Sequence, residues 1–132
     1  MALVTVSSKA SPEVGSIQRS AQTIGTAGEN IALGAPCYLA SDGTVKQADG
    51  TAADVKAVLV GFAVRQANSG EPVTLHGQGT VFYYTDSSLT PGAKLYIGAT
   101  AGRLDTATTT GDAVGVAQVL ADGKSIRVTR AI

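Results

Sequence analysis

The sequence predicts an all-β protein, a small duplicated β-barrel or sandwich with an extended N-terminal arm. Three observations predict it. The chain nearly repeats itself, its apolar residues alternate in short runs, and turn-forming residues separate those runs.

The repeat is the strongest of the three. Residues 33–45 read LGAPCYLASDGTV and residues 91–104 read PGAKLYIGATAGRL, with one extra residue in the second turn. Gly34, Ala35, Tyr38, Leu39 and Gly43 align with Gly92, Ala93, Tyr96, Ile97 and Gly102. Further along, Val60, Gly61, Ala63, Gly70, Val73 and Leu75 align with Val114, Gly115, Ala117, Gly123, Ile126 and Val128. A period of 53–59 residues suits one small β unit per copy. The units are expected at about 28–80 and 86–132, forming a single β domain after an arm at 1–27.

The arm differs in composition from the rest of the chain. It holds five serines, three threonines and only three charges, Lys9, Glu13 and Arg19. Its apolar residues are a short patch, Leu3, Val4 and Val6, and then Val14, Ile17 and Ile24. Such a stretch buries too little apolar surface to fold alone. Two readings stay open: an arm that adds a strand to a partner's edge through Leu3, Val4, Val6, Val14 and Ile17, or a disordered leader or edge strand of the same domain.

From Gly28 onward the pattern is β. Apolar pairs recur at alternate positions: Ile31 and Leu33, Cys37 and Leu39, Val73 and Leu75, Leu95 and Ile97, Ile126 and Val128. Between them lie Ser41-Asp42-Gly43, Asp49-Gly50, Asn68-Ser69-Gly70 and Asp122-Gly123, residues that tolerate tight turns. Pro36 and Pro91 stand at strand entrances, where a missing N–H does no harm. Gly61 and Gly115 interrupt apolar strands, which predicts bulges or close backbone approach. Residues 51–60 have room for one short helical turn, and Thr106–Gly111 reads as a loop.

Composition narrows the function. A chain of 132 residues makes one compact domain or two closely joined halves. Charged residues are 15%, against about 25% in ordinary globular chains, which suits a protein that hides surface in an assembly and equally a lone stable β domain. Ten basic residues balance ten acidic ones along the chain, with no basic stripe, so no nucleic-acid partner is expected. Cys37, the only cysteine, reads as a small buried hydrophobe. No apolar run approaches the ~18–20 residues of a membrane helix, and MALVTVSSK lacks the features of a secretory signal. The expectation is a protein made in a cytoplasm, with no membrane partner.

No catalytic set emerges. His76, the only histidine, shares the polar side of its strand with Thr74 and reads as a surface residue. One histidine and one cysteine match no metal-ligand spacing. Asp42, Asp49 and Asp122 sit in turns, where their side chains bond nearby backbone. Gly77-Gln78-Gly79 lacks the helix and the Lys-Ser/Thr of a phosphate loop and reads as a turn. No enzyme activity, metal or cofactor is expected. The aromatic run Phe82, Tyr83 and Tyr84 reads either as alternating core and surface positions or as a subunit contact. With Tyr96, Tyr83 and Tyr84 would also serve a sugar platform, the basis of an alternative carbohydrate-binding or host-attachment reading.

Several segments together resemble the capsid cement, or head decoration, proteins of tailed bacteriophages. They are AGENIALGAPCYL (27–39), DGTV (42–45), VGFAV and SGEPVTL (60–64 and 69–75), PGAKLY (91–96), and VGVA with DGKSIRV (114–117 and 122–128). The likeness covers about residues 27–130 and rests on glycine turns and apolar alternation. It implies a β-tulip-like fold and a structural protein on the outer surface of an assembled head, made in the host cytoplasm. It further implies a homotrimer whose partner is the major capsid protein, contacted by the N-terminal arms. The serine-rich arm itself matches no family motif, so its contact residues are read from composition.

Overall fold

The computed structural model describes residues 3–8 and 22–131. Its strands are β1 (Leu3–Val4), β2 (Gln22–Thr26), β3 (Pro36–Leu39), β4 (Val45–Gln47), β5 (Gly61–Ala63) and β6 (Pro72–His76). They continue as β7 (Val81–Tyr83), β8 (Lys94–Ile97), β9 (Leu104–Asp105), β10 (Ala117–Val119) and β11 (Ser125–Val128). The short helical turn expected in 51–60 is a 3₁₀ turn at Val55–Ala57, capped by the Asp54 carboxylate accepting from the Lys56 N–H. The protein is all-β, with two antiparallel sheets.

The duplication reappears as topology. One sheet runs β2-β6-β5-β3-β4, and the other runs β7-β11-β10-β8-β9 with β1 added beyond β9. Strand for strand the five-membered orders are the same, so the aligned glycines and apolar pairs mark equivalent places in two copies of one unit. Among the described residues eight glycines adopt positive φ, including the aligned pairs Gly34 and Gly92, Gly43 and Gly102, and Gly70 and Gly123. These are the turn positions that a side chain would strain.

Each sheet curls until its ends meet, by a different device in each copy. In the N-terminal copy Ala27 bridges directly to Val45 on β4, and the Gly28 N–H donates to the Val45 carbonyl at 2.8 Å. The approach depends on small residues. A Cβ on Gly25 would lie 2.7 Å from Val45 Cγ2, and one on Gly28 would lie 2.8 Å from Thr44 Cβ. In the C-terminal copy the matching inward positions are large. Gly25 stands opposite Val73, while Phe82 stands opposite Ile126, the counterpart of Val73.

Rings at Phe82 and Tyr84 hold that sheet wider, and β1 fills the gap. Leu3 pairs with Asp105 and Val4 with Leu104, and the Ser7 N–H donates to the Tyr84 carbonyl at 2.7 Å, returning the chain to the β7 side. The body therefore begins earlier than expected. Both β1 and β2 lie inside the 1–27 stretch read as an arm, and each is a strand of a sheet.

The sheets enclose two cores. The N-terminal one gathers Ala27, Ile31, Ala35, Cys37, Val45, Ala63, Ala67, Val73 and Leu75. The C-terminal one is built from larger side chains, with Leu95, Leu104 and Ile126 where the first has Cys37, Val45 and Val73. It also takes Ala48, Leu59 and Phe62 from the N-terminal copy. Phe62 alternates with Ala63 on β5, so it points away from its own core and makes edge contacts with Phe82 (5.6 Å between centroids) and Tyr84 (6.3 Å). The copies thus share a core, and backbone bonds add to the junction: Gly50 N–H to the Gly98 carbonyl and Gly102 N–H to the Ala48 carbonyl.

Candidate functional site

Of the described residues marked for partner contact, Val4, Phe82 and Tyr84 are buried, Val6 and Tyr83 are half-buried and Leu3 is exposed. Val4 is 3% exposed and part of the C-terminal core, Val6 packs against that core, and Leu3 stands at the rim. This corrects the expectation for Val4: an antiparallel pairing with β9 turns its side chain inward, so it has no surface to offer a capsid. Val14 and Ile17 lie outside the described residues. Phe82 and Tyr84 are likewise corrected from subunit contacts to core residues, because both face inward beside Phe62. Tyr83 is half-buried and donates its hydroxyl to the exposed Asp86 carboxylate at 2.6 Å, which holds the phenol above its usual pKa. With Tyr84 buried, the three tyrosines proposed as a sugar platform share no exposed face.

His76 is also corrected. It sits on the outward side of β6, as the alternation requires, yet it is 1% exposed. It pairs across the ladder with Phe62, whose ring the C-terminal copy covers. Cys37 is buried as expected; burial, with the nearby Glu29 charge adding, pushes its thiol up to about 12. Asp42, Asp49 and Asp122 each accept from backbone N–H groups two residues on, the turn role read from the sequence. Among the described residues no group of three or more His, Cys, Asp or Glu stands ready for a metal ion, and no helix is long and apolar enough to cross a membrane.

The structure instead gathers polar chemistry on the outer face of the C-terminal sheet, beginning at a buried carboxylate. Asp112 lies in the loop before β10 with its side chain fully covered. One oxygen accepts from Ile97 N–H at 2.9 Å; the other accepts from Gly115 N–H at 2.9 Å and Val114 N–H at 3.2 Å. The second oxygen also receives the Arg130 guanidinium at 2.7 Å, and Arg130 Nε donates to the Gly115 carbonyl at 3.0 Å. Gly115 takes φ +98°, and the Val116 carbonyl accepts from both Thr129 (2.8 Å) and Arg130 (3.4 Å). Thr129 and Arg130 together stand opposite Val116, so the bulge lies on the strand beside Gly115 and not at Gly115 itself. Gly61 shows the other outcome foreseen, close approach, since a Cβ there would lie 2.9 Å from the His76 carbonyl oxygen.

Beside the bulge, Lys94, Gln118 and Arg127 form a row across β8, β10 and β11. Gln118 pairs with Lys94 on one side and with Arg127 on the other, and all three are exposed. An open groove of about 350 Å³ runs from Lys94 and Gln118 to Thr129 and Arg130 over a floor of Gly115 and Ala117, with Val114 61% exposed at its edge. The counterpart face in the N-terminal copy carries Pro36, Val64, Thr74 and His76, and of these only Thr74 keeps partial exposure. One copy has this face covered within the fold; the other presents it to solvent with cations on it.

Reading the sequence missed this row. Alternation turns Lys94, Gln118 and Arg127 outward one by one, but only the cross-strand register brings them together. Compared with models of known protein families and with curated protein sequences, the chain matches none.

Proposed function

We propose that this chain is a non-enzymatic decoration protein of a tailed-bacteriophage head, which binds the outer surface of the assembled shell as a trimer and stabilises it. The observation that carries the proposal is the duplicated fold: the segments that resemble the cement family supply β3, β5, β11 and most of β6 and β8, with the turn glycines Gly34, Gly43, Gly70, Gly92 and Gly123, in the two equivalent sheets. The major capsid protein is the partner. A protein that binds the assembled shell and not its free subunits stabilises that shell by mass action. Three copies acting from one trimer raise avidity above the affinity of any single contact.

The fold suits such work. Both sheets end by meeting themselves, so neither leaves a long open edge that would drive the protein into its own aggregates before it reaches a head. The test is to heat mature heads of the encoding virus, depleted of this protein, with and without the purified chain, and to monitor genome release by dye fluorescence. A higher release temperature with added protein is expected. An unchanged temperature at saturating protein would count against stabilisation.

A further inference from the structure

We infer that the outer face of the C-terminal sheet is the contact surface of this protein, and that it takes an acidic patch of a protein partner through Lys94 and Arg127. This rests on the head-decoration reading and adds to it the face used and the chemistry of what it meets.

Charge is unevenly shared between the copies although the whole chain is neutral. Residues 22–80 carry three cations, Lys46, Lys56 and Arg65, against five carboxylates. Residues 81–131 carry five cations against four carboxylates, and those carboxylates are engaged locally. Asp112 is buried under Arg130, and Asp105 is buried and accepts from the Ala107 N–H. Asp122 accepts from Lys124, Ser125 N–H and the Ser125 hydroxyl in its own turn, and Asp86 accepts from Tyr83. Lys94 and Arg127 form no ion pair among the described residues, and they flank one amide across the ladder.

A row of two cations and an amide, next to a groove with an apolar lip at Val114, matches carboxylates on a protein surface. The cations draw the partner in, and the amide and the groove supply short-range contacts. Comparison within the chain supports the assignment. The same face of the first copy, Pro36, Val64, Thr74 and His76, carries no lysine or arginine and is covered by the fold except at Thr74, so this side of the unit is already used for packing once. Cations at 94 and 127 keep a second copy of the chain from repeating that packing end to end, and leave the face to a partner of opposite charge.

The experiment is equilibrium sedimentation of the full chain with depleted mature heads at low and high salt. Three proteins are compared: the natural chain, Lys94→Glu/Arg127→Glu, and Lys46→Glu/Lys56→Glu as a control of equal charge change on the other copy. Unchanged melting temperatures establish that all three are folded. The natural chain is expected to bind heads less tightly as salt rises, the control to behave like it, and the Lys94/Arg127 reversal to lose about tenfold or more in affinity at low salt. Equal binding by the reversal and the natural chain would overturn the contact assignment while the decoration reading stands. No binding by any of the three would overturn both. Retention of the natural chain, but not the reversal, on duplex DNA at the same salt would make nucleic acid the partner and overturn the inference.

Discussion

Val4 lies opposite Leu104 across the ladder that seals the C-terminal sheet, and both side chains are buried, at 3% and 0% exposure. A two-residue strand from the chain's start thus closes a barrel whose other strands all come from residues 81–128. Removing two methyl groups from a filled core costs transfer free energy and leaves a cavity, so Val4→Ala should lower stability by about 1–2 kcal/mol. Val4→Asp should cost more, because a carboxylate would enter the same space without a partner. Urea denaturation of both variants measures this. A change under ~0.5 kcal/mol for Val4→Asp would mean that β1 is not held in the sheet.

The Asp112–Arg130 pair is asymmetric, and its two ends should respond differently. Asp112 is covered and also accepts from three backbone N–H groups; the Arg130 side chain is 46% exposed. Asp112→Ala leaves buried N–H groups unpaired and should cost about 2–4 kcal/mol. Arg130→Ala gives up a partly solvated contact and should cost about 1 kcal/mol. Thermal or chemical denaturation of the two variants checks the order. Equal losses would show that the backbone bonds to Asp112 add little.

Glycines test the junction between the copies. A Cβ on Gly50 would lie 2.3 Å from the Ile97 carbonyl oxygen, a backbone atom without freedom to move aside. Gly50→Ala should therefore cost about 2–4 kcal/mol through strain in the shared loops. At Gly70, with φ +88° and open space around it, alanine meets only the backbone penalty of about 1 kcal/mol. Melting temperatures of the two variants would reveal whether the Gly50–Gly98 contact holds the halves together.

Alkaline pH should weaken the fold through Cys37. Its folded pKa is raised to about 12, by burial first and then by Glu29, while an unfolded thiol titrates near ~8.5. A raised pKa means that the unfolded chain releases its proton first. Stability is then intact below pH ~8.5 and declines as pH climbs towards the folded value. Tyr84, raised by burial, acts in the same direction at higher pH. Cys37→Ala should show a shallower loss of melting temperature above pH ~9 than the natural chain. A thiol reagent should label Cys37 only on unfolding, and rapid labelling of the native protein would contradict its burial.

Much of the fold was legible because glycine spacing and alternation are local properties. The matched turns at Gly43 and Gly102 and at Gly70 and Gly123 carry the repeat straight into two equal strand orders. What local pattern cannot supply is the contact between copies. His76 alternates onto the outward side of β6, which reads as surface until the second copy covers the neighbouring Phe62. The run from Val81 to Tyr84 is apolar or aromatic at every position, so alternation does not tell which two rings face in; the register with Ile126 decides for Phe82. Val4 pairs with a residue a hundred positions away, and no short-range signal marks it as a closing strand. The candidate contact face was hidden for the same reason, because Lys94, Gln118 and Arg127 meet only through tertiary register.

The most direct measurement of the central claim is a binding isotherm of the purified chain on mature heads that lack it, with unexpanded shells alongside. Saturable binding to the mature heads, at a fixed number of copies per head and in multiples of three, is the predicted result. Absence of saturable binding at micromolar protein, with the chain folded, would contradict the decoration role.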